Sequence, residues 1–307
     1  MPQISVVATL YKSAAYLPEF YARAVKSLAM IGVDYEFVFV DDGSPDNSGT
    51  VVRDLQAEDS RVKLLSLSRN FGHHKAIMAG LRAAKGSYVF LLDCDLEEPP
   101  ELLVEFWSTM QAEGCDVVFG VQNLRRGKGI DRFVGGLFYK VFNHLSDLPI
   151  PENIAMCRLM NRRYVDAIGQ FGERNFFLGS LFVEAGFRQV SVPFEKTSKG
   201  STTYNFRRRV SLMVDAITSS TAKPLVYVFY LGLAMCSLTI FAGIAVLFRH
   251  LFIERLQVGW PSLILSVWFI GGLMLLSIGI VGIYLSRVFQ EVKGKPVYII
   301  KDSDNDD

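Results

Sequence analysis

Short runs of apolar residues alternate with longer amphipathic stretches through about the first 120 residues of the chain. The short runs predict β-strands, and the stretches between them repeat apolar residues at helical spacing. Strands are predicted at Ile4–Thr9, Glu36–Val40, Lys63–Leu67, Tyr88–Leu92 and Asp116–Phe119. Helices are predicted at roughly Tyr16–Ile31, Asn47–Glu58, His74–Ala84 and Pro100–Glu113. This alternation favours an α/β fold, a Rossmann-like, mostly parallel sheet with helices on both faces.

Two much longer apolar stretches occupy the C-terminal third. No charged residue occurs in Pro224–Phe248 or in Val258–Ser286. Each stretch exceeds the roughly 20 residues that a helix needs to cross a bilayer. Lys and Arg residues flank the pair on both outer sides, whereas the connecting loop Arg249–Gln257 holds only two. This asymmetry predicts two membrane helices, with both termini in the cytoplasm and the loop outside.

The patterning divides the chain into four parts. An α/β domain is predicted over 1–198, an amphipathic juxtamembrane segment over 199–223, a two-helix transmembrane hairpin over 224–287 and a C-terminal tail over 288–307. The spans within the hairpin are predicted at about 225–248 and 258–286. Inside the first part, an apolar helix is predicted at about Ile130–Leu145, and the pattern is mixed from there to Thr197. The acidic end of the tail, Asp302–Asp307, is predicted to be disordered.

Composition narrows the class of protein. The net charge of +1 argues against a nucleic-acid partner. The four cysteines show no paired spacing, which favours a reducing compartment. The chain starts on an apolar strand pattern without a signal segment, so about the first 220 residues are expected in the cytosol. Together with the two spans, this predicts a multi-pass protein of the inner (cytoplasmic) membrane.

Polar residues follow the predicted strands at the edge where such sheets bind ligands. Asp93 and Asp95 flank one residue at the end of the fourth strand, so an extended chain would turn both carboxylates to one side. Paired carboxylates suit Mg²⁺ or Mn²⁺ bound together with substrate phosphates, although two solvated loop carboxylates are the simpler interpretation. Asp42 could accept from a nucleobase or ribose, and Arg69 could either pair with a diphosphate or lock its loop.

These residues together resemble the family-2 glycosyltransferases with a GT-A fold. The branch that is most similar contains the polyprenyl-phosphate glycosyltransferases, such as dolichol-phosphate mannose synthase and the bactoprenol glucosyltransferases. The matching segments are Ser5–Tyr11, Val40–Ser44, Leu67–Gly72, Asp93–Leu96 leading into Pro99-Pro100, Arg158–Met160 and Glu291–Tyr298. The resemblance extends over nearly the whole chain.

The resemblance implies a glycosyltransferase that moves a sugar from a nucleotide diphosphate sugar, with a UDP-sugar favoured, to polyprenyl (undecaprenyl) phosphate. Metal-dependent transfer with inversion is implied, with Mg²⁺ or Mn²⁺ held by Asp93, Asp95 and Glu97. The implied donor site comprises Thr9, Tyr11, Asp42, Arg69 and Asp93. The implied sites for the acceptor phosphate are Arg125, Arg126, Lys128, Lys199 and Arg207. The bilayer is the implied environment, and a homo-oligomer remains open.

Three departures from the family pattern fall at this site. Lys12-Ser13 follows Tyr11, where the family usually has Asn-Glu. Glu97 stands where the family has Gln, which adds negative charge beside the metal. Ala155-Met156-Cys157 replaces the Gly-Asp-Phe of many relatives, so an acidic residue is absent. A phosphate monoester is largely dianionic at neutral pH and needs no general base, so the predicted reaction tolerates this loss. Two alternatives stay open: transfer to a glycan or lipid-linked sugar hydroxyl, with Asp147, Glu152 or Glu173 as base, and an inactive nucleotide-sugar-binding membrane scaffold.

Overall fold

The computed structural model describes residues 2–122, 140, 143–145, 153–174, 176–196, 214, 217–218, 221–252 and 259–303. Its strands are β1 (Ile4–Leu10), β2 (Tyr35–Asp41), β3 (Val62–Leu67), β4 (Tyr88–Leu91), β5 (Val117–Gln122), β6 (Ile154–Asn161), β7 (Gln189–Phe194) and β8 (Ile300–Ser303). Its helices are α1 (Leu17–Ile31), α2 (Ser48–Glu58), α3 (His73–Ala83), α4 (Leu102–Glu113), α5 (Arg162–Gln170), α6 (Leu178–Glu184), α7 (Lys223–Phe252) and α8 (Trp260–Val292). The elements predicted before residue 120 are all present, close to their predicted bounds.

All the strands join one sheet in the order β7-β5-β6-β4-β1-β2-β3-β8. Strand β1 pairs in parallel with β2 and β4, β2 with β3, and β5 with β7. Strands β6 and β8 run antiparallel to their neighbours. The mostly parallel sheet is therefore confirmed. Because β1 to β5 and β7 run in one direction, their carboxyl ends share one edge.

Helices cover both faces of this sheet, which explains why its central strands are apolar at nearly every position. In β1, Val6 packs on the face that also buries Phe20 of α1 and Phe106 of α4. The next residue, Val7, packs on the opposite face with Ile77 of α3. Strands buried on both sides lack the alternating pattern of a half-exposed sheet. Polar side chains that could bind a ligand are therefore found at the strand ends.

Strand β6 lies between β4 and β5 and was not predicted as a strand. A charged residue interrupts its apolar pattern, since Arg158 is only 1% exposed in the centre of the sheet. Its guanidinium lies 3.4 Å from the ring centroid of Phe182 and donates to the carbonyl oxygens of Met156 and Ala155. Burial lowers the pKa of Arg158 to about 10. After β6, Asn161 begins α5 by accepting a hydrogen bond from the Tyr164 N–H at 2.9 Å.

One prediction about the C-terminal tail was wrong. Disorder was predicted from Asp302 onward, but Asp302 and Ser303 belong to β8, which pairs with β3. The Ser68 N–H also donates to the Ile299 carbonyl at 2.9 Å. An edge strand of this kind needs no apolar face because backbone hydrogen bonds hold it, and so its composition did not reveal it.

The helices α7 and α8 are long and carry many exposed apolar side chains. Within the described residues, one stretch is both long and apolar enough to cross a membrane: Ser266–Val292 in α8, with mean hydropathy 2.1 and none of its most apolar window buried. The apolar part of α7 identified in the same way, Lys223–Met235, is shorter. The span predicted at about 225–248, and with it the two-helix hairpin, therefore stays a prediction. The predicted helix at Ile130–Leu145 and the juxtamembrane segment lie largely outside the described residues.

Candidate active site

The carboxyl ends of β1 to β4 bring most of the predicted donor-site residues together on one rim. Thr9 is the last residue but one of β1, Asp42 follows β2, and Arg69 and Asp93 lie two residues beyond β3 and β4, respectively. Tyr11 lies just beyond β1 and is 50% exposed. Hydrogen bonds and side-chain contacts connect these strand ends. The predicted acceptor residues Arg125, Arg126, Lys128, Lys199 and Arg207 lie outside the described residues.

Asp42 is almost fully buried and anchors the loop that follows β3. Its two carboxylate oxygens accept the backbone N–H groups of Phe71 and Gly72 at 2.6 and 3.0 Å. A carboxylate oxygen has a second lone pair, so a nucleoside contact by Asp42 remains compatible with this role. That contact stays a prediction. The anchoring role was missed because the partners lie about 30 positions away, with no local signal in the sequence.

Gly43 lets the loop after β2 touch the loop after β3. Its φ of +63° lies in the left-handed region, and a Cβ there would come within 2.6 Å of the Arg69 and Asn70 backbone. Only glycine fits this approach. The Arg69 guanidinium lies 4.2 Å from the Phe71 ring centroid and donates to the Asn70 carbonyl at 3.3 Å. Arg69 thus locks its own loop, and its pairing with a diphosphate stays a prediction.

Burial alternates along Asp93, Cys94 and Asp95, although Cys94 and Asp95 lie in a turn beyond β4 rather than in an extended chain. Cys94 points into the core, where its Sγ donates to the Thr9 carbonyl at 3.1 Å. Burial, reinforced by the charge of Asp93, raises the pKa of the Cys94 thiol. The side chain of Asp93 is 33% exposed. Asp95 is also partly exposed, and its Oδ1 accepts the Glu97 N–H at 3.1 Å. Burial raises the pKa of Asp93 as well.

His73 joins Thr9 to Asp93 and is a site residue that sequence reasoning missed. Its Nδ1 lies 3.1 Å from Thr9 Oγ1, and its Nε2 lies 3.6 Å from Asp93 Oδ1. The sequence offered one indication that His73 lies near the site, because this residue begins the helix that follows the loop after β3. One imidazole thereby links the ends of two adjacent strands.

Glu97 is paired with a lysine from a distant part of the chain. The Lys196 Nζ lies 2.7 Å from Glu97 Oε2, and both side chains are partly buried. Burial opposes the charge of Lys196, but Glu97 and Glu98 outweigh it and raise the pKa of that ammonium. The negative charge that distinguishes Glu97 from glutamine is therefore compensated within the protein.

Glu98 lies beside this pair and is 3% exposed. Burial, followed by the charge of Asp93, raises the pKa of its carboxyl to about 7. Within the described part of the chain, Glu98 Oε2 has no hydrogen-bond partner. Carboxylates at 93, 95, 97 and 98 thus form a concentrated acidic region at the end of β4.

No three His, Cys, Asp or Glu side chains in the described ranges are arranged to hold a metal ion by themselves. Asp93 and Asp95 nevertheless supply hard oxygen atoms close enough for the charge of Asp95 to act on Asp93. Mg²⁺ is commonly held by one or two carboxylates together with substrate phosphates and waters, without a complete protein cage. The two aspartates fit a site of that open type, and Glu97 would have to leave Lys196 to join it.

Comparison with known proteins agrees with this architecture. The model of glycosyl transferase family 2 matches residues 5–169, which include β1 to β6 and the whole rim. The chain belongs to glycosyl transferase family 2 and is a glycosyltransferase that uses nucleotide sugars. The GT-A type of α/β fold expected from the resemblance is likewise in agreement with the mostly parallel sheet.

Relatives match over nearly their full length. A Mycobacterium tuberculosis (strain CDC 1551 / Oshkosh) protein named as a glycosyltransferase is 43% identical over 97% of this chain and 87% of its own. The SfII prophage-derived bactoprenol glucosyl transferase of Shigella flexneri is 33% identical over 98% of each chain. Among solved structures, glucosyl-3-phosphoglycerate synthase from Mycobacterium tuberculosis is 16% identical, with a TM-score of 0.48 over 71% of this chain and 78% of its own.

Proposed function

We propose that this protein transfers a sugar from a nucleotide diphosphate sugar, a UDP-sugar in the first instance, to polyprenyl phosphate at the cytoplasmic face of the membrane. The observation that carries the proposal is the similarity to a bactoprenol glucosyl transferase over 98% of both chains. That similarity extends through the C-terminal helices as well as the catalytic domain. A lipid phosphate acceptor explains why the similarity covers the C-terminal helices together with the catalytic domain.

The rim residues account for donor binding in this proposal. Asp42 receives the nucleoside and holds the loop Arg69–Gly72 against it, and Thr9 and Tyr11 line the same edge. Arg69 pairs with the diphosphate, while His73 keeps Asp93 oriented. Asp93 and Asp95 would hold Mg²⁺ or Mn²⁺ beside the donor diphosphate, with Glu97 as a further ligand. When bound, the cation supplies compensation for the charge that develops on the departing diphosphate.

The acceptor in this proposal is its own nucleophile. A lipid phosphate is largely dianionic at neutral pH, so no side chain has to remove a proton. Attack on the face opposite the leaving group inverts the anomeric carbon. Catalysis then rests on holding two anionic groups in line, which is an orientation effect. Arg125, Arg126, Lys128, Lys199 and Arg207 are the proposed cations for the acceptor phosphate.

The membrane arrangement is part of the same proposal. We infer a catalytic domain over 1–198, a juxtamembrane segment over 199–223, two spans within 224–287, and a tail over 288–307. Both termini face the cytoplasm of the inner membrane. A single cysteine placed in Arg249–Gln257, with Cys236 removed, should react in intact cells with a thiol reagent that cannot cross membranes. Labelling of a cysteine at position 295 in its place would refute the topology.

A radiolabelled sugar-transfer assay with detergent-solubilised protein tests the chemistry. UDP-glucose, UDP-GlcNAc and GDP-mannose are each offered with undecaprenyl phosphate or with a glycan acceptor. We expect product on undecaprenyl phosphate with one donor in excess of the others, and none on the glycan. Transfer to the glycan alone would support the hydroxyl-acceptor alternative. Nucleotide-sugar binding without transfer to either acceptor would support the scaffold alternative.

A further inference from the structure

The ion pair between Lys196 and Glu97 links the end of β7 to the acidic turn after β4. Lys196 lies two residues beyond β7, and Glu97 lies two residues beyond Asp95. Their side chains are 34% and 28% exposed, so water reaches both groups only in part. A partly buried pair is screened less by salt than a pair on the open surface.

Lys196 also acts on the rest of the acidic region. Its ammonium interacts electrostatically with Asp95 and Glu98, and Asp93 in turn feels its charge. A second basic group beside Asp93 is the imidazole of His73, whose Nε2 lies 3.6 Å from Asp93 Oδ1. Lys196 therefore compensates part of the negative charge that Asp93, Asp95, Glu97 and Glu98 create together. Without a cation of this kind, four carboxylates within six residues would repel one another.

We propose that Lys196 is a positioning residue that competes with the divalent cation for Glu97, and that it thereby makes metal binding depend on the nucleotide diphosphate. The inference rests on the metal site of the proposed function. In the metal-free protein Lys196 holds Glu97. Binding of a cation to Glu97 breaks that pair and leaves the ammonium without its hydrogen-bonded carboxylate, beside a dication.

The donor removes this conflict. A diphosphate offers oxygen ligands to the cation and also offers an anionic partner to the released ammonium. Metal and nucleotide consequently strengthen each other's binding, and this coupling is reciprocal by thermodynamic linkage. Glutamate at position 97 is compatible with the site because Lys196 is present, and the pair imposes an order in which the cation is retained only with its nucleotide.

The test is Mn²⁺ binding to the full-length protein in detergent, followed by electron paramagnetic resonance, with and without saturating UDP and, in a second series, GDP. Lys196→Gln should tighten Mn²⁺ binding without nucleotide by tenfold or more, about 1.4 kcal/mol. It should also reduce the factor by which the effective nucleotide strengthens Mn²⁺ binding. In a Glu97→Gln background the same lysine substitution should change Mn²⁺ affinity by less than about threefold, because the carboxylate for which lysine and cation compete is gone.

Lys63→Gln is the matched control. Lys63 pairs with Glu36 at the same 2.7 Å distance, but at the amino ends of the strands, and its loss should leave Mn²⁺ affinity unchanged. Unchanged or weaker Mn²⁺ binding in Lys196→Gln would overturn the inference, as would an equal change in both backgrounds. If no variant binds Mn²⁺ even with nucleotide, or if Asp95→Asn binds it as the parent does, the metal site itself fails. These results distinguish failure of the inference about Lys196 from failure of the proposed metal site.

Discussion

The backbone N–H of Arg174 donates to the carboxylate of Glu291, 2.9 Å from Oε1, and this bond joins the last turn of α8 to the catalytic domain. The Arg174 guanidinium returns a hydrogen bond to the Glu291 carbonyl. Beyond the helix, Tyr298 packs against the core and β8 adds to the sheet beside β3. Because β3 runs directly into the Arg69–Gly72 loop, the segment from Glu291 to Ser303 connects the apolar helix to the strand that positions this loop.

Glu291→Gln should therefore weaken donor binding as well as stability. The variant replaces a charged acceptor by a neutral amide, which costs about 1–2 kcal/mol for a partly buried hydrogen bond. We expect a lower thermal unfolding midpoint and a raised KM for the nucleotide sugar, with the protein still in the membrane fraction. Lys295→Gln, at an exposed position of the same segment, is the control. An unchanged midpoint and KM would show that the connection is incidental.

The strands before residue 120 could be predicted because burial on both faces makes them uniformly apolar. The same rule failed for β6, where Arg158 occupies a central position and is stabilised by the Phe182 ring and by nearby carbonyl groups. The rule also failed for β8, because an edge strand held by backbone hydrogen bonds does not need an apolar sequence. The order of polar residues at strand ends located Asp42, Asp93 and Asp95. The place of His73 after a rim loop indicated that it lies near the site, but no pattern in the sequence could reveal its contact with Thr9. The Glu97–Lys196 pair was equally hidden, since each contact joins residues more than 60 positions apart.

Asp42→Asn should disrupt the rim even if the nucleoside never touches this residue. Both carboxylate oxygens accept backbone N–H groups, and an amide can replace only one of them. The other N–H would face an NH₂ group in a buried position, at a cost of about 1–3 kcal/mol. We expect a lower unfolding midpoint together with loss of nucleotide-sugar binding in calorimetry. A folded variant of unchanged midpoint that fails only in donor binding would identify Asp42 as a pure ligand contact.

Asp59 should contribute an acid-sensitive part of the stability. The hydrogen bond from Arg61, and after it that from Tyr21, lower the pKa of Asp59 from 3.8 to about 2, and its side chain is 11% exposed. A folded-state pKa below the unfolded value stabilises the protein above about pH 4, and this contribution disappears as the pH falls toward 2. After allowance for solvent screening, its size is about 1–2 kcal/mol.

Asp59→Asn checks this pH dependence. Denaturant unfolding in detergent should separate the parent from the variant at pH 6 and show a smaller difference at pH 3. Asp166→Asn, which removes an exposed partner of Arg162, provides the comparison and should have little effect at either pH. A constant difference between Asp59→Asn and the parent across this pH range would contradict the assignment.

Asp95→Asn should reduce turnover by several hundredfold while the protein stays folded in the membrane. Loss of one electrostatic contact to a developing charge typically costs about 10²–10³ in rate. EDTA should abolish activity in the parent, and Mg²⁺ or Mn²⁺ should restore it. Asp166→Asn again serves as the exposed control. Full activity of the parent in EDTA, or of Asp95→Asn with added metal, would refute metal-assisted departure of the diphosphate.

The charge of a lipid phosphate acceptor determines which kind of side chain should bind it. Cations near the bilayer must hold this dianion beside the negatively charged donor, so at least one of them should govern acceptor binding. Arginine–phosphate pairing is geometrically specific, and even Arg→Lys should weaken a true contact. The candidates are Arg125, Arg126, Lys128, Lys199 and Arg207.

Each candidate is replaced in turn by glutamine, and the arginines also by lysine. The KM for undecaprenyl phosphate is then measured separately from the KM for the nucleotide sugar. We expect one or more variants to raise the acceptor KM by tenfold or more, about 1.4 kcal/mol, with the donor KM nearly unchanged. Under the same mechanism, Asp147, Glu152 and Glu173 should be dispensable, because the nucleophile is already ionised. Neutral results at all five cations, with one of these acids essential and titrating as a general base, would assign the acceptor as a sugar hydroxyl.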